Sequence, residues 1–126
     1  MPVQINHITV DCQDPVRQAT FWAETLGWDV APGADADVAA IGGPRRPQGT
    51  PGWLFFAVPE PKTAKNRMHV DLRTRELEAE VQRLESLGAT RVHEKREWET
   101  HWFTLTDPEG NEFCVVEELV QEKEGG

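Results

Sequence analysis

Two histidines, a cysteine and a few carboxylates are the residues of this chain best suited to chemistry. His7 stands in Gln4–Val10 (QINHITV) and His69 in Met68–Arg73 (MHVDLR). Both segments alternate polar and apolar residues, the period of a half-buried strand. On such a strand His7 and Thr9 face one way and Ile8 and Val10 the other, while His69 and Asp71 oppose Val70 and Leu72. A third alternating segment, Glu112–Glu118 (EFCVVEE), puts Glu112 and Cys114 on one face, with Glu118 further along it. An imidazole titrates near neutral pH, so His7 and His69 are candidate acid/base catalysts. Two imidazoles and a thiolate are also a zinc set that leaves water in the fourth position. Nickel, iron(II) or manganese would ask for a carboxylate beside the imidazoles, and Glu112, two residues from Cys114 on the same strand face, could reach inward to supply one. The plainer role for each histidine is a hydrogen bond within its sheet. Cys114 as a nucleophile would need a lowered pKa that no sequence neighbour supplies, which leaves it the part of a small buried hydrophobe.

The elements that must position these residues occur twice. After the first strand, Asp14-Pro15 reads as an N-cap with proline at the first helical position. Val16, Ala19, Trp22, Ala23 and Leu26 form an apolar stripe, and Gly27 ends the helix. In the second half Thr74 is the expected cap, Leu77, Val81, Leu84 and Leu87 the stripe, and Gly88 the end. Strands are expected at 28–31, 38–41 and 53–58, and again at 90–94, 102–106 and 112–118. Gly42–Gly52 is a loop by composition, Pro59–Asn66 the joint between halves, and Asp107-Pro108-Glu109-Gly110 a tight turn. The tail Gln121–Gly126 is expected to fray. Matching landmarks at a period of about sixty residues point to a duplication, with repeats at 1–60 and 66–120 inside a single domain of 1–126.

Composition narrows the function classes. The chain of 126 residues is 38% hydrophobic and 28% charged, the make-up of a folded globular domain. Its 22 acidic and 13 basic residues leave a formal charge of −9, a field that repels nucleic acid and anionic membranes and suits a neutral or cationic small molecule. No apolar run is long enough to span a membrane, and the N-terminal residues show no secretory pattern. Cys12 and Cys114 form no metal-finger or redox spacing. A cytoplasmic setting with reduced thiols is therefore expected.

Alternation sorts the strands into two faces. Ile8, Val10, Leu54, Phe56, Val70, Leu72, Phe113 and Val115 are expected to pack beneath the helices. The opposite face would carry His7, Thr9, Trp53, Phe55, His69, Asp71, Glu112 and Cys114, a mixture suited to a ligand pocket. Trp102 opens a strand and is a further candidate for the lining, and Trp98, in a polar loop, for closing over a ligand or a partner. Trp22 belongs to the core.

The stretches NHITVDCQDPVRQATFWAETLGW, RMHVDLRT and LTDPEGNEFCVVE together resemble the glyoxalase / bleomycin-resistance / dioxygenase (vicinal oxygen chelate) superfamily over nearly the whole length. The resemblance implies an α+β fold: two βαβββ modules forming an open, barrel-like mixed sheet around a concave pocket, often as a homodimer. Metal-dependent members use a histidine on the first strand, a glutamate on the fourth, a histidine on the fifth and a glutamate on the eighth. Carried over, these fall on His7, Phe55, His69 and Cys114, so half of the metal set is replaced. The expectation is a bacterial protein that binds a small cationic or aromatic molecule, without a cofactor, through Trp53, Phe55, Asp71, Trp102, Glu112 and Cys114. The alternative is a lyase, isomerase or dioxygenase with zinc, nickel, iron or manganese on His7 and His69, the two histidines meeting on the inner wall of the fold.

Overall fold

The computed structural model describes residues 2–118 and divides into two compact units, Met1–Ala64 and Lys65–Gly126. The tail expected to fray lies outside the described residues. The first unit runs β1 (His7–Cys12), α1 (Pro15–Leu26), β2 (Asp29–Val30), β3 (Val38–Gly42) and β4 (Gly52–Ala57). The second repeats it with β5 (Asp71–Thr74), α2 (Leu77–Leu87), β6 (Thr90–Glu97), β7 (Thr100–Thr106) and β8 (Glu112–Glu117). Each unit is thus a βαβββ module with an open, mixed, four-stranded sheet, ordered β1-β4-β3-β2 in one and β5-β8-β7-β6 in the other. The first strand of each module runs parallel to the last, and the other pairs are antiparallel.

Local chemistry explains both helices. The Asp14 side chain accepts from the backbone N–H of Arg17 at 3.1 Å, Pro15 needs no N–H there, and Gly27 takes the left-handed φ of 75° that closes the last turn. The buried stripe of α1 keeps the expected Ala19, Trp22 and Ala23 and adds Pro15, Gln18 and Phe21, while Val16 is exposed. In α2 the buried residues are Leu77, Val81 and Leu84. Its N-cap is Glu76, not Thr74; the Thr74 hydroxyl instead accepts from the Glu76 N–H at 3.1 Å, a turn one step ahead of the helix. Glu78 and Glu80 in the first turn favour the positive end of the helix dipole.

The first sheet corrects the faces read from the sequence. Parallel pairing sets Ile8 beside Trp53 and Val10 beside Phe55. All four therefore share the face that α1 covers, where Trp53 lies 4.8 Å from the Trp22 ring and Phe55 is fully buried. Leu54 and Phe56, expected in the core, lie on the opposite face with Thr9 and Asp11. The run Trp53–Ala57 is apolar at every position, so alternation carries no phase there. The second sheet keeps the expected faces: Leu72, Phe103, Leu105, Phe113 and Val115 are set in register under α2.

The hairpin between β7 and β8 is fixed by a buried carboxylate. Asp107 Oδ1 accepts from the N–H groups of Glu109 and Asn111, each at 3.0 Å, and Gly110 takes a φ of 91°. The corrected phase of β4 predicts that Phe55→Ala destabilises the protein by about 3–5 kcal/mol in urea unfolding. Phe56→Ala on the open face should cost less than about 1 kcal/mol. Equal losses would contradict the assignment.

Candidate functional site

The polar face of the second sheet is built row by row. Asp71 pairs with Cys114, Cys114 with Thr104, and Thr104 with His93, so one line of polar side chains crosses all four strands. In the next row Arg73, Val116, Trp102 and Lys95 are neighbours. Residues directly paired on a sheet project to the same side, and a concavity of about 530 Å³ lies over this one. His69, Asp71, His93, Trp102, Glu112 and Cys114 line it.

His69 is not on a strand: β5 begins at Asp71, and His69 is in the segment leading into it. Its position is held by the backbone. The carbonyl of Val70 accepts from the Cys114 N–H at 3.0 Å, which locks the chain between His69 and Asp71 to the middle of β8. Asn66 anchors the same lead-in from below, its side-chain oxygen accepting from the Glu112 N–H at 3.0 Å. Its own N–H meets Glu112 Oε1 at 3.4 Å. Glu112 therefore orients the lead-in as well as lining the pocket. His69 Nε2 is 3.3 Å from Asp71 Oδ1. Both groups are about half exposed, so the contact adds little to stability.

Cys114 Sγ lies 3.5 Å from the Thr104 hydroxyl. Partial burial pushes its thiol up from the usual cysteine range, with the Asp71 charge acting in the same direction. The Thr104 hydrogen bond and the Lys65 charge oppose that rise. Cys114 is therefore a neutral thiol at pH 7 rather than a ready nucleophile. Trp102 stacks on Trp98 with ring centroids 6.5 Å apart and planes 14° from parallel. Trp98 occupies the β6–β7 turn at a φ of 54° and is largely exposed.

In the first unit His7 opens β1 and is exposed. Its Nδ1 is 3.0 Å from the Asn6 side-chain nitrogen, which leaves Nε2 to carry the proton in the neutral ring. A second cavity, of about 450 Å³, lies beside it, lined also by Arg46, Gly42 and Gly52. Gly52 is required there, because a Cβ would stand 2.9 Å from the Ile41 carbonyl oxygen. Of the expected ligand residues, Asp71, Trp102, Glu112 and Cys114 come together in the second unit with His69. Trp53 and Phe55 are instead core residues of the first. His93 and Thr104 were not expected in the lining. Thr104 follows from the alternation of Thr100, Trp102 and Thr104, whereas His93 reaches the face only through an irregularity in β6 between Arg91 and His93.

The sequence matches the glyoxalase-like domain family over residues 7–116. The chain belongs to this family, within the glyoxalase / bleomycin-resistance / dioxygenase superfamily. Solved structures of similar fold include a glyoxalase/bleomycin resistance protein/dioxygenase family enzyme from Burkholderia phytofirmans PsJN. It is 17% identical, with a TM-score of 0.72, over 93% of this chain and all (100%) of that one. A fosfomycin resistance protein from Mesorhizobium loti matches at 11% identity and a TM-score of 0.69, over 98% of each chain. A lactoylglutathione lyase from Agrobacterium tumefaciens matches at 17% identity and a TM-score of 0.61, over 92% of this chain and 94% of that one. At these identities the likeness is one of fold. A comparison with curated proteins gave no match.

The residues of this glyoxalase-like chain do not fit the family's metal set of two histidines and two glutamates. Phe55 is fully buried under α1, and the β4 residues on the open face, Leu54 and Phe56, carry no donor atom. Cys114 stands where the last glutamate would be, as a protonated thiol. Among the described residues no helix is long and apolar enough to cross a membrane.

The surroundings of Cys114 predict the pH profile of its alkylation by iodoacetamide, followed by mass spectrometry. The midpoint should lie above that of a free cysteine. It should fall in Asp71→Asn, which removes a raising charge, and rise in Thr104→Val, which removes a lowering hydrogen bond. A midpoint at or below the free-thiol value would contradict this environment.

Proposed function

We propose that the chain is a small-molecule-binding protein that takes a cationic or aromatic ligand on the open face of its second sheet, without the family's four-ligand metal site. The row Asp71–Cys114–Thr104–His93, with Trp102 beside it, carries this reading. It combines a flat indole for stacking with carboxylates at Asp71 and Glu112 for a positive charge, inside a cavity large enough for a small organic molecule. The charge of −9 favours the same ligands over anions. A homodimer belongs to the proposal, supported by the exposed side chains of Val3, Ile5 and Trp98, apolar surface that a second copy would cover. So does a cytoplasmic setting, where Cys12 and Cys114, neither of them in a disulfide, stay reduced.

The alternative, a metal-dependent lyase, isomerase or dioxygenase acting through His7 and His69, asks for a β4 donor that Leu54 and Phe56 do not supply. Titration calorimetry with a planar cationic dye and with a cationic glycopeptide tests the binding reading. Saturable binding of at least one is expected, weakened about tenfold in Trp102→Ala, the size of a lost cation–π contact. No binding by either compound, or binding indifferent to Trp102, would overturn it.

A further inference from the structure

We infer that the cavity of the first unit is an oxyanion site, built around Arg46 and suited to a small molecule that carries a carboxylate or a phosphate. The cavity, of about 450 Å³ beside the start of β1, has Arg46 in its lining and no carboxylate. In a chain with 22 acidic residues that is a local reversal of charge. The preceding residue, Arg45, has its counter-ion, Asp29 at 2.8 Å. Arg46 has none among the described residues. Its Nη1 donates to the carbonyl of Thr50, and its Nε is buried without a hydrogen-bond partner. A guanidinium keeps its charge in a protein, and one held partly out of water without a partner calls for an anion.

The free edge of the guanidinium selects the kind of anion. Nη1, tied to Thr50, lies on the Cδ side of the group. Nε and Nη2 form the opposite edge, with their N–H bonds side by side. That edge is the fork that takes two oxygens of one carboxylate or one phosphate. The turn between β3 and β4 holds the residue, the Arg46 N–H donating to the Gly43 carbonyl at 3.1 Å. Two glycines give the side chain its room. A Cβ at Gly42 would stand 3.2 Å from Arg46 Nε, and one at Gly52 3.9 Å from it. A small rotation about the flexible stem of Arg46 brings the edge to an entering ligand. The neutral His7 ring, its Nδ1 facing the Asn6 amide nitrogen at 3.0 Å, offers its Nε2–H as a second donor at the cavity. The net charge of −9 opposes anions at long range. That field is screened within about 10 Å at 0.1 M salt, and the charged side chain in the cavity lining is Arg46.

This site is separate from the one proposed for cationic ligands and does not rest on it. Its test is an NMR titration of the full ¹⁵N-labelled chain with acetate and, separately, with inorganic phosphate, against sodium chloride at matched ionic strength. Saturable shifts of the Arg46 Nε–H signal and of the Gly42 and Gly52 amides are expected with at least one of the two anions. The row through Cys114 should stay unmoved. Arg46→Gln should weaken binding by about tenfold or more, the size of one lost charge-assisted hydrogen bond. Ala40→Asp, which leaves Arg46 and Thr50 in place but puts a carboxylate in the cavity, should weaken it likewise. Arg45→Gln should stay within about twofold of the parent, since that guanidinium is already paired. Circular dichroism confirms that each variant is folded, and dye affinity should be the same in Arg46→Gln as in the parent. Response to acetate alone or to phosphate alone tells a carboxylate ligand from a phosphate one. The site is overturned if neither anion gives a saturable shift, if chloride moves the same signals equally, or if folded Arg46→Gln and Ala40→Asp both bind as the parent does.

Discussion

The register of β5 against β8 is the constraint on which the candidate site depends. A slip of one residue in β5 would turn Asp71 toward the core and bring Leu72 out beside Cys114. Three features prevent it. The apolar residues of β8, Phe113 and Val115, are buried under α2. The Asp107 turn fixes where β8 starts relative to β7. The paired hydrogen bonds of Asn66 with Glu112, and of Cys114 with Val70, tie the lead-in of β5 to β8 over more than one turn of the pleat. Ligand chemistry and core packing are thus two faces of the same strand pairing.

The two modules share a plan and differ in what their open faces carry. In the first, the cavity beside His7 is lined by small residues such as Ala40, Gly42 and Gly52 together with Asn6 and Arg46, and Gly52 cannot take a side chain without meeting Ile41. In the second, the equivalent surface holds two imidazoles, two carboxylates, a thiol and an indole. The two sheets share one strand order, and side-chain choice makes the second rich in donors. The exposed ion pairs of the second unit, such as Arg91 with Glu78 and Glu85, decorate the helix side and contribute little each.

Much of this was legible in the sequence where local chemistry is unambiguous. Asp14-Pro15 and Gly27 bound the first helix as expected, because a cap, a missing N–H and a left-handed glycine act within a few residues. The strict alternation of Glu112–Val116 gave the correct faces of β8. Elsewhere the signal was missing or overridden. The continuous apolar run at Trp53 has no period, so its faces were inverted, and only pairing with Ile8 and Val10 settles them. His93 was hidden because the irregularity after Arg91 changes the phase within the strand. Alternation alone puts His69 on the strand with Asp71, while the structure starts β5 at Asp71.

The central claim is that one face of the second sheet meets the ligand while the other is sealed by α2. Amide and side-chain NMR during titration with the planar cationic dye reads this directly. The account predicts shifts that alternate along the strands, large for the side chains of Trp102, Thr104 and Cys114 and small for those of Phe103, Leu105 and Val115. Shifts centred on the side chains of α2, or on the first unit with the row through Cys114 unmoved, would contradict it.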